Sequence, residues 1–347
     1  MLGRVLPLAL ASFLGAPSAA AAQTTVDGVI FASYRYGLQK DTTYSPPAAQ
    51  SNFEVDRAYL NVRSRMDGGV TTRLTIDVDG REAAANQLTF RLKYAYVAWT
   101  PEASALTYRF GMQPTPQVGW EDDLWGYRFQ GPNPLDRAKY LSSSDIGAAV
   151  EGSWGAQRVN LEAGVYNGET YSGAPGDNRK DFAARLSVRV LETANTSRTG
   201  GLRLTGFALV GQATGGTART RTVGMVSYQT TSLLLGAQVA LTQDSTDASA
   251  RTKGRMMSLF GTLEIPDGPF GLMGRLDRWD PDTDLNPAAG TPAASEQTRV
   301  IGGISYRLAR NVKLLLDGDV VLLQNDPGNN AFQAANRSIY VHAEIKY

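Results

Sequence analysis

Residues 337–347, Arg-Ser-Ile-Tyr-Val-His-Ala-Glu-Ile-Lys-Tyr, decide the fold. Read back from the end, Tyr347, Ile345, Ala343, Val341 and Ile339 are apolar. Lys346, Glu344, His342, Tyr340 and Ser338 alternate with them and are mostly polar. A period of two means a strand with one oily face and one wet face. Such a strand running to a final aromatic residue, behind a secretory leader, predicts a transmembrane β-barrel. A barrel of that kind is expected to be a pore.

The leader is read at the other end of the chain. Arg4 supplies a positive start, Val5–Leu14 a short apolar run, and Ala20-Ala21-Ala22 a small-residue cleavage site before Gln23. The run falls short of the roughly 20 apolar residues that a membrane helix needs. The expected organisation is therefore a signal peptide over 1–22 and one barrel over 23–347. The chain has 34 Lys and Arg against 33 Asp and Glu. Removing Arg4 with the leader leaves no net charge, so any selectivity must come from where the charges sit. There is no cysteine, which excludes disulfides and thiolate metal sites. A closed, hydrogen-bonded barrel is another source of stability.

From Gln23 onward the chain reads as strand, turn, strand, with no helix and no domain linker. The expected strands are 25–38, 53–65, 70–79, 87–99, 105–113, 145–154, 157–167, 181–191, 201–212, 219–229, 232–243, 254–264, 270–279, 297–308, 311–323 and 337–347. That is an all-β, antiparallel barrel of sixteen strands, an even number as bacterial outer-membrane barrels require. Alternation is clean in Val70, Thr72, Leu74, Ile76 and Val78 against Thr71, Arg73, Thr75, Asp77 and Asp79. It is clean again in Phe182, Ala184, Leu186, Val188 and Val190 against Arg185, Ser187 and Arg189, and in the stripe from Leu233 to Leu241. Continued through the fourth strand, it puts Leu88, Phe90, Leu92, Tyr94 and Tyr96 opposite Arg91 and Lys93. Tyr34, Tyr36, Tyr94, Tyr96, Trp154, Tyr306 and Tyr347 lie near strand ends and are expected in interfacial girdles.

Connection lengths sort by parity. Tight turns at 66–69, 100–104, 155–156, 230–231, 265–269 and 309–310 alternate with longer connections, Glu192–Gly200 being the exception. Short periplasmic turns and longer external loops are what a barrel of this class predicts. The longest connection, Pro114–Ser144, is the third external loop. It carries Trp120, Trp125, Tyr127 and Phe129 beside Glu121, Asp122, Asp123, Arg128, Asp136, Arg137 and Lys139. A loop so long and so apolar is expected to fold into the lumen and narrow it. The constriction residues so predicted are Trp120, Asp122, Asp123, Trp125, Tyr127, Arg128, Arg137 and Lys139.

Several stretches, in order, resemble one family. They are Phe53-Glu-Val-Asp-Arg-Ala-Tyr-Leu-Asn-Val-Arg63, Tyr94-Ala-Tyr-Val-Ala-Trp99, Phe110-Gly-Met-Gln-Pro-Thr-Pro116, Ser143-Ser-Asp-Ile-Gly147 and Tyr166-Asn-Gly168. The set is similar to the phosphate-selective porin O/P family and covers the first half of the mature chain. The resemblance implies an outer-membrane barrel of sixteen strands, usually a trimer, that passes anions.

The residues themselves point the same way. The lumen-facing set of the early strands holds Arg57, Arg63, Arg65, Arg73, Arg91, Lys93 and Arg109, with Tyr59 and Asn61. These strands follow one another in sequence and are expected to be neighbours in the wall. A column of guanidinium groups in a narrow lumen attracts anions. Arg275, Arg299 and Arg307 are also read as facing inward, and Asp56, Asp77, Asp79, Glu82, Asp317 and Asp319 offer carboxylates against the column. The only histidine, His342, stands without an accompanying nucleophile, so catalysis is not expected. No phosphate loop or zinc spacing appears, and no cofactor or metal is called for. The expected function is passive diffusion of small hydrophilic solutes, anions preferred and phosphate among them, through a bacterial outer-membrane homotrimer. The alternatives are a pore for neutral sugars or other anions, with the loop tryptophans stacking on solute, and a plugged structural or adhesin-type barrel.

Overall fold

Sixteen antiparallel strands close into one barrel in the computed structural model. It describes residues 23–38, 51–79, 88–173, 176, 178–212, 217–245, 251–283, 296–324 and 333–347. The expected leader over 1–22 and most of the other expected long connections lie outside these residues. The strands are β1 (Gln23–Gly37), β2 (Ser51–Arg65), β3 (Val70–Asp79), β4 (Thr89–Trp99), β5 (Leu106–Pro114), β6 (Ser144–Trp154), β7 (Val159–Tyr166) and β8 (Asp181–Leu191). They continue with β9 (Gly201–Gln212), β10 (Ala218–Gln229), β11 (Leu233–Ser245), β12 (Arg251–Glu264), β13 (Phe270–Asp280), β14 (Glu296–Ala309), β15 (Val312–Gln324) and β16 (Gln333–Lys346). Number and order are those read from the sequence.

Each strand pairs with the next, and β1 pairs with β16 from Val29 opposite Lys346 to Gly37 opposite Ser338. Beyond that ladder, Gly28 and Tyr347 exchange N–H···O bonds of 3.0 and 3.1 Å, so the seam is sealed to the last residue. Closure leaves no edge strand unpaired. The final strand obeys its alternation: Ile339 and Val341 are exposed on the outer surface, whereas Ser338 and His342 are buried on the inner one.

The exterior is apolar. Phe53, Phe90, Phe110, Phe182 and Leu259 are each at least 60 % exposed, a surface suited to hydrocarbon rather than water. Trp99, Tyr108 and Trp154 project outward near one rim, the first two with ring centroids 5.8 Å apart. Tyr36, Tyr306 and Tyr347 are also exposed, as expected of girdle residues.

Five register irregularities interrupt the ladders among the described residues, at Asp56, Lys93, Val190, Leu308 and Ala335, and the first two bear on the wall of the site. In β2, Phe31 faces Arg57 and Ala32 faces Val55, which leaves Asp56 as the extra residue. In β4, Thr75 faces Tyr94 and Ile76 faces Leu92, which leaves Lys93 extra. A bulge shifts the phase of everything after it by one residue. Asp56 and Arg57 therefore both serve the interior, and Lys93 is followed inward by Tyr94 and Tyr96. The sequence reading that put Tyr94 and Tyr96 with Phe90 and Leu92 on the outer face is corrected by this bulge.

The interior is filled on one side. The inner faces of β10 to β15 carry Met225, Leu234, Phe260, Met273, Ile301 and Leu315, which join Phe31 and the aromatic residues of the 114–144 connection in one buried cluster. A second cluster joins Val118, Leu135 and Leu141 to Phe207, Val223 and Met256.

Candidate functional site: the lumen and its inner segment

The connection expected to lack regular structure contains two helices, α1 (Pro116–Trp125) and α2 (Pro134–Arg137). Pro116 starts α1 with its φ already set, and Gly126 at φ 67° ends it in the left-handed region. Asn133 caps α2 by accepting a 3.0 Å bond from the Asp136 N–H. Helix α1 shows no single oily face because it is covered almost all round: Gln117, Val118, Trp120, Glu121, Leu124 and Trp125 are all buried.

Contacts with inward-facing wall residues fix the segment. Trp125 meets Phe260 edge-on with centroids 5.7 Å apart, and Phe129 meets Phe31 at 6.2 Å. The Tyr127 hydroxyl lies 2.9 Å from the Ser305 hydroxyl, and Gln130 donates to Asp317 at 3.4 Å. Burial of side chains such as Leu124 and Phe129 stabilises the packing by about 1.5–3 kcal/mol each. Trp120 and Trp125 are only 1 % and 3 % exposed, so their rings are core and are not available to stack on a solute. Arg128 lies between Asp122 at 3.4 Å and Asp136 at 3.5 Å. Arg137 lies 3.9 Å from Asp319 and donates to the Pro132 carbonyl at 3.1 Å. Lys139 is exposed, with φ 58°. Asp123 points away from the core to Arg198.

The predicted wall cations divide by their partners. Arg57 and Arg91 share Asp77, at 3.6 and 3.9 Å. Arg109 is held by Glu151 at 2.8 Å and Glu162 at 2.9 Å, and Arg63 by Asp27 at 2.6 Å. Arg65 is exposed near the end of β2. Arg275 pairs with Asp277 at 2.9 Å and Arg307 with Glu264 at 3.2 Å. Arg299 donates to Asp319 from Nε at 2.8 Å.

Arg73 and Lys93 have no carboxylate within ion-pair distance among the described residues. Arg73 donates to Thr75 at 3.1 Å and Asn61 at 3.0 Å, with its guanidinium 4.5 Å from the Tyr94 ring centre. Lys93, the bulge residue, donates to the Tyr59 hydroxyl at 2.9 Å, which also accepts from Arg57 at 2.9 Å. The Lys93 ammonium lies 4.7 Å from the Tyr59 ring centre and 5.6 Å from that of Tyr94. These rings hold the cations by their negative faces without neutralising them.

Two cavities flank this shelf, and Arg128 borders both. One, of about 360 Å³, is lined by Arg57, Asp136, Lys139, Tyr171 and Arg219 among others. The other, of about 340 Å³, is lined by Tyr59, Arg63, Arg73, Lys93, Tyr94 and Asp122. The second cavity follows the β2–β4 wall, whereas the first reaches from Arg57 across to Ala183, Phe207 and Arg219 on β8 to β10. His342 is 1 % exposed, with Nε2 3.0 Å from Asp317 and Nδ1 3.7 Å from Asp56. Sequence reasoning missed the inward apolar residues of β11 to β15. Their signal was runs oily on both faces, such as Leu233–Leu235 and Leu314–Leu316.

No family model and no curated protein matches the sequence. Solved structures do. The outer-membrane channel DcaP of Acinetobacter baumannii is 12 % identical with a TM-score of 0.66, over 95 % of this chain and 99 % of its own. The anion-selective porin from Comamonas acidovorans is 14 % identical with a TM-score of 0.62, over 94 % and 100 %. OmpT of Vibrio cholerae, an outer-membrane protein in its trimer form, is 13 % identical with a TM-score of 0.62, over 94 % and 100 %. At these identities the likeness is one of fold: the chain has the closed sixteen-stranded barrel found in outer-membrane porins.

Proposed function

We propose that this protein is an outer-membrane pore for passive diffusion of small hydrophilic solutes, without a chemical step and with anions preferred. Residues 1–22 direct export, and residues 23–347 form the barrel. The observation that carries the anion preference is the pair Arg73 and Lys93, cations without a carboxylate partner among the described residues, on the wall of an open cavity. Positive charge kept in a narrow, low-dielectric passage favours anions and opposes cations. Arg109 and Arg63, each held by carboxylates, do not add to it. The inner segment sets the narrow part, because its aromatic residues occupy the β10–β15 side and leave Arg128 to face the β2–β4 wall. Phosphate is one solute of suitable charge and size.

The outer-membrane setting is supported by the apolar exterior and by the neighbours' fold, and homotrimer assembly by the trimer form of one neighbour. Reversal potentials in planar bilayers under a salt gradient test the reading. The parent should be anion-selective, and the R73E/K93E double variant should shift toward cations. An unchanged reversal potential in that variant removes these two residues from the mechanism. A correctly folded parent that carries no current refutes the pore.

A further inference from the structure

The connection Glu192–Gly200 is the long exception among the tight turns on its side of the barrel. It is strongly fixed. Arg189, buried on β8, donates to the carbonyls of Gly200 at 2.9 Å and Ser197 at 2.5 Å. Arg203, buried on β9, donates to Gly200 at 3.1 Å. Asn195 donates to the Thr230 carbonyl at 3.1 Å, and Thr199 to Gln229 at 2.8 Å.

So held, the turn presents Arg198 to α1, which enters from the opposite rim. Arg198 donates to Asp123 from Nε at 2.9 Å and Nη2 at 2.5 Å, and to Glu151 from Nη1 at 3.1 Å. Glu151 and Glu162 both bind Arg109, and Glu162 lies 3.4 Å from Arg185. Arg185 in turn donates to the Pro116 carbonyl at 2.9 Å. The result is one chain of alternating charge that leaves the first residue of α1 and returns to its eighth. Its three arginines balance its three carboxylates, so it adds no net field to the lumen.

The geometry points to a clamp: the 192–200 turn, through Arg198, and the Arg109–Glu162–Arg185 chain grip α1 at both ends and fix how far it reaches into the barrel. Arg198 and Asp123 are positioning residues. Apolar packing holds α1 against the wall but resists sliding along the barrel axis poorly, because it is non-directional. Two guanidinium N–H groups converging on one carboxylate oxygen, Asp123 Oδ2, resist sliding because charge-assisted hydrogen bonds are short and directional. The consequence for ion flow rests on the pore reading; the clamp itself does not.

A double-mutant cycle tests it in the naturally cysteine-free chain, with V118C, at a fully buried position of α1, as reporter. Thiol labelling of V118C in detergent should speed up about fivefold in R198A and equally in D123A, with no further gain in the double variant. R198K, which keeps the charge and loses the fork, should fall between parent and R198A. The same variants should show noisier and larger single-channel currents. Labelling that is unchanged in both single variants, or additive in the double, overturns the clamp. Altered labelling in a barrel that passes no current leaves the clamp standing and refutes the pore.

Discussion

Glu121 makes the packing of α1 depend on pH. Its carboxyl is buried in the lumen, bonded to Gln117 at 2.9 Å. Burial is the main cause that pushes its pKa from 4.5 up to about 7; Asp122 adds to the rise, and Gln117, Arg275 and Gln238 oppose it. Below pH 4.5 the group is protonated whether α1 is docked or detached, and docking is unaffected. Between 4.5 and about 7 the detached form ionises while the docked form keeps its proton, so docking weakens as pH rises. Above about 7 both forms are charged and the loss is complete. The interval corresponds to about 3 kcal/mol. In V118C, the ratio of labelling rates, parent background over E121Q, should therefore rise on the order of 50-fold from pH 5 to pH 8. Taking the ratio cancels the reagent's own pH dependence. A ratio that stays level across that range would show that Glu121 is not the group that titrates, and would refute the reasoning.

Other outcomes follow from the same contacts. D77N removes the carboxylate shared by Arg57 and Arg91, so reversal potentials should move further toward anions. W125A empties a site that is 3 % exposed; it should destabilise segment docking by about 3–5 kcal/mol and raise the size cut-off for neutral sugars in liposome swelling. G111A places a Cβ against the Ala95 carbonyl oxygen at φ +120°. It should lower the yield of heat-modifiable, folded barrel, because side-chain-bearing residues are strained there.

Strand number, order and most faces were legible because a period of two survives wherever one surface meets hydrocarbon and the other meets polar groups. Legibility failed at Lys93 and Asp56, where one extra residue in a strand flips all that follows; only the pairing partner reveals it. It failed at α1 because a helix covered on nearly every side shows no amphipathic stripe. The predicted wall cations lie in or beside the lumen strands, but their charge was not legible. Whether an arginine is neutralised depends on cross-strand register, which sets Arg109 beside Glu151 and Glu162 and leaves Arg73 beside Asn61. Trp120 and Trp125 looked like solute platforms in sequence, and their partners on β8 to β13 made them core.

The filling of the barrel also has a kinetic side. Tyr127 and Gln130 bond to Ser305 and Asp317, residues 178 and 187 positions later in the chain. Until the C-terminal third arrives, the aromatic face of the segment has no wall to rest on. Contacts of such separation form slowly, and surfaces that wait for them are prone to aggregate. Before closure the chain must therefore shield not only its outward strands but also Trp125, Tyr127 and Phe129. How well those rings are covered before the C-terminal strands pair determines how much of the chain survives to close.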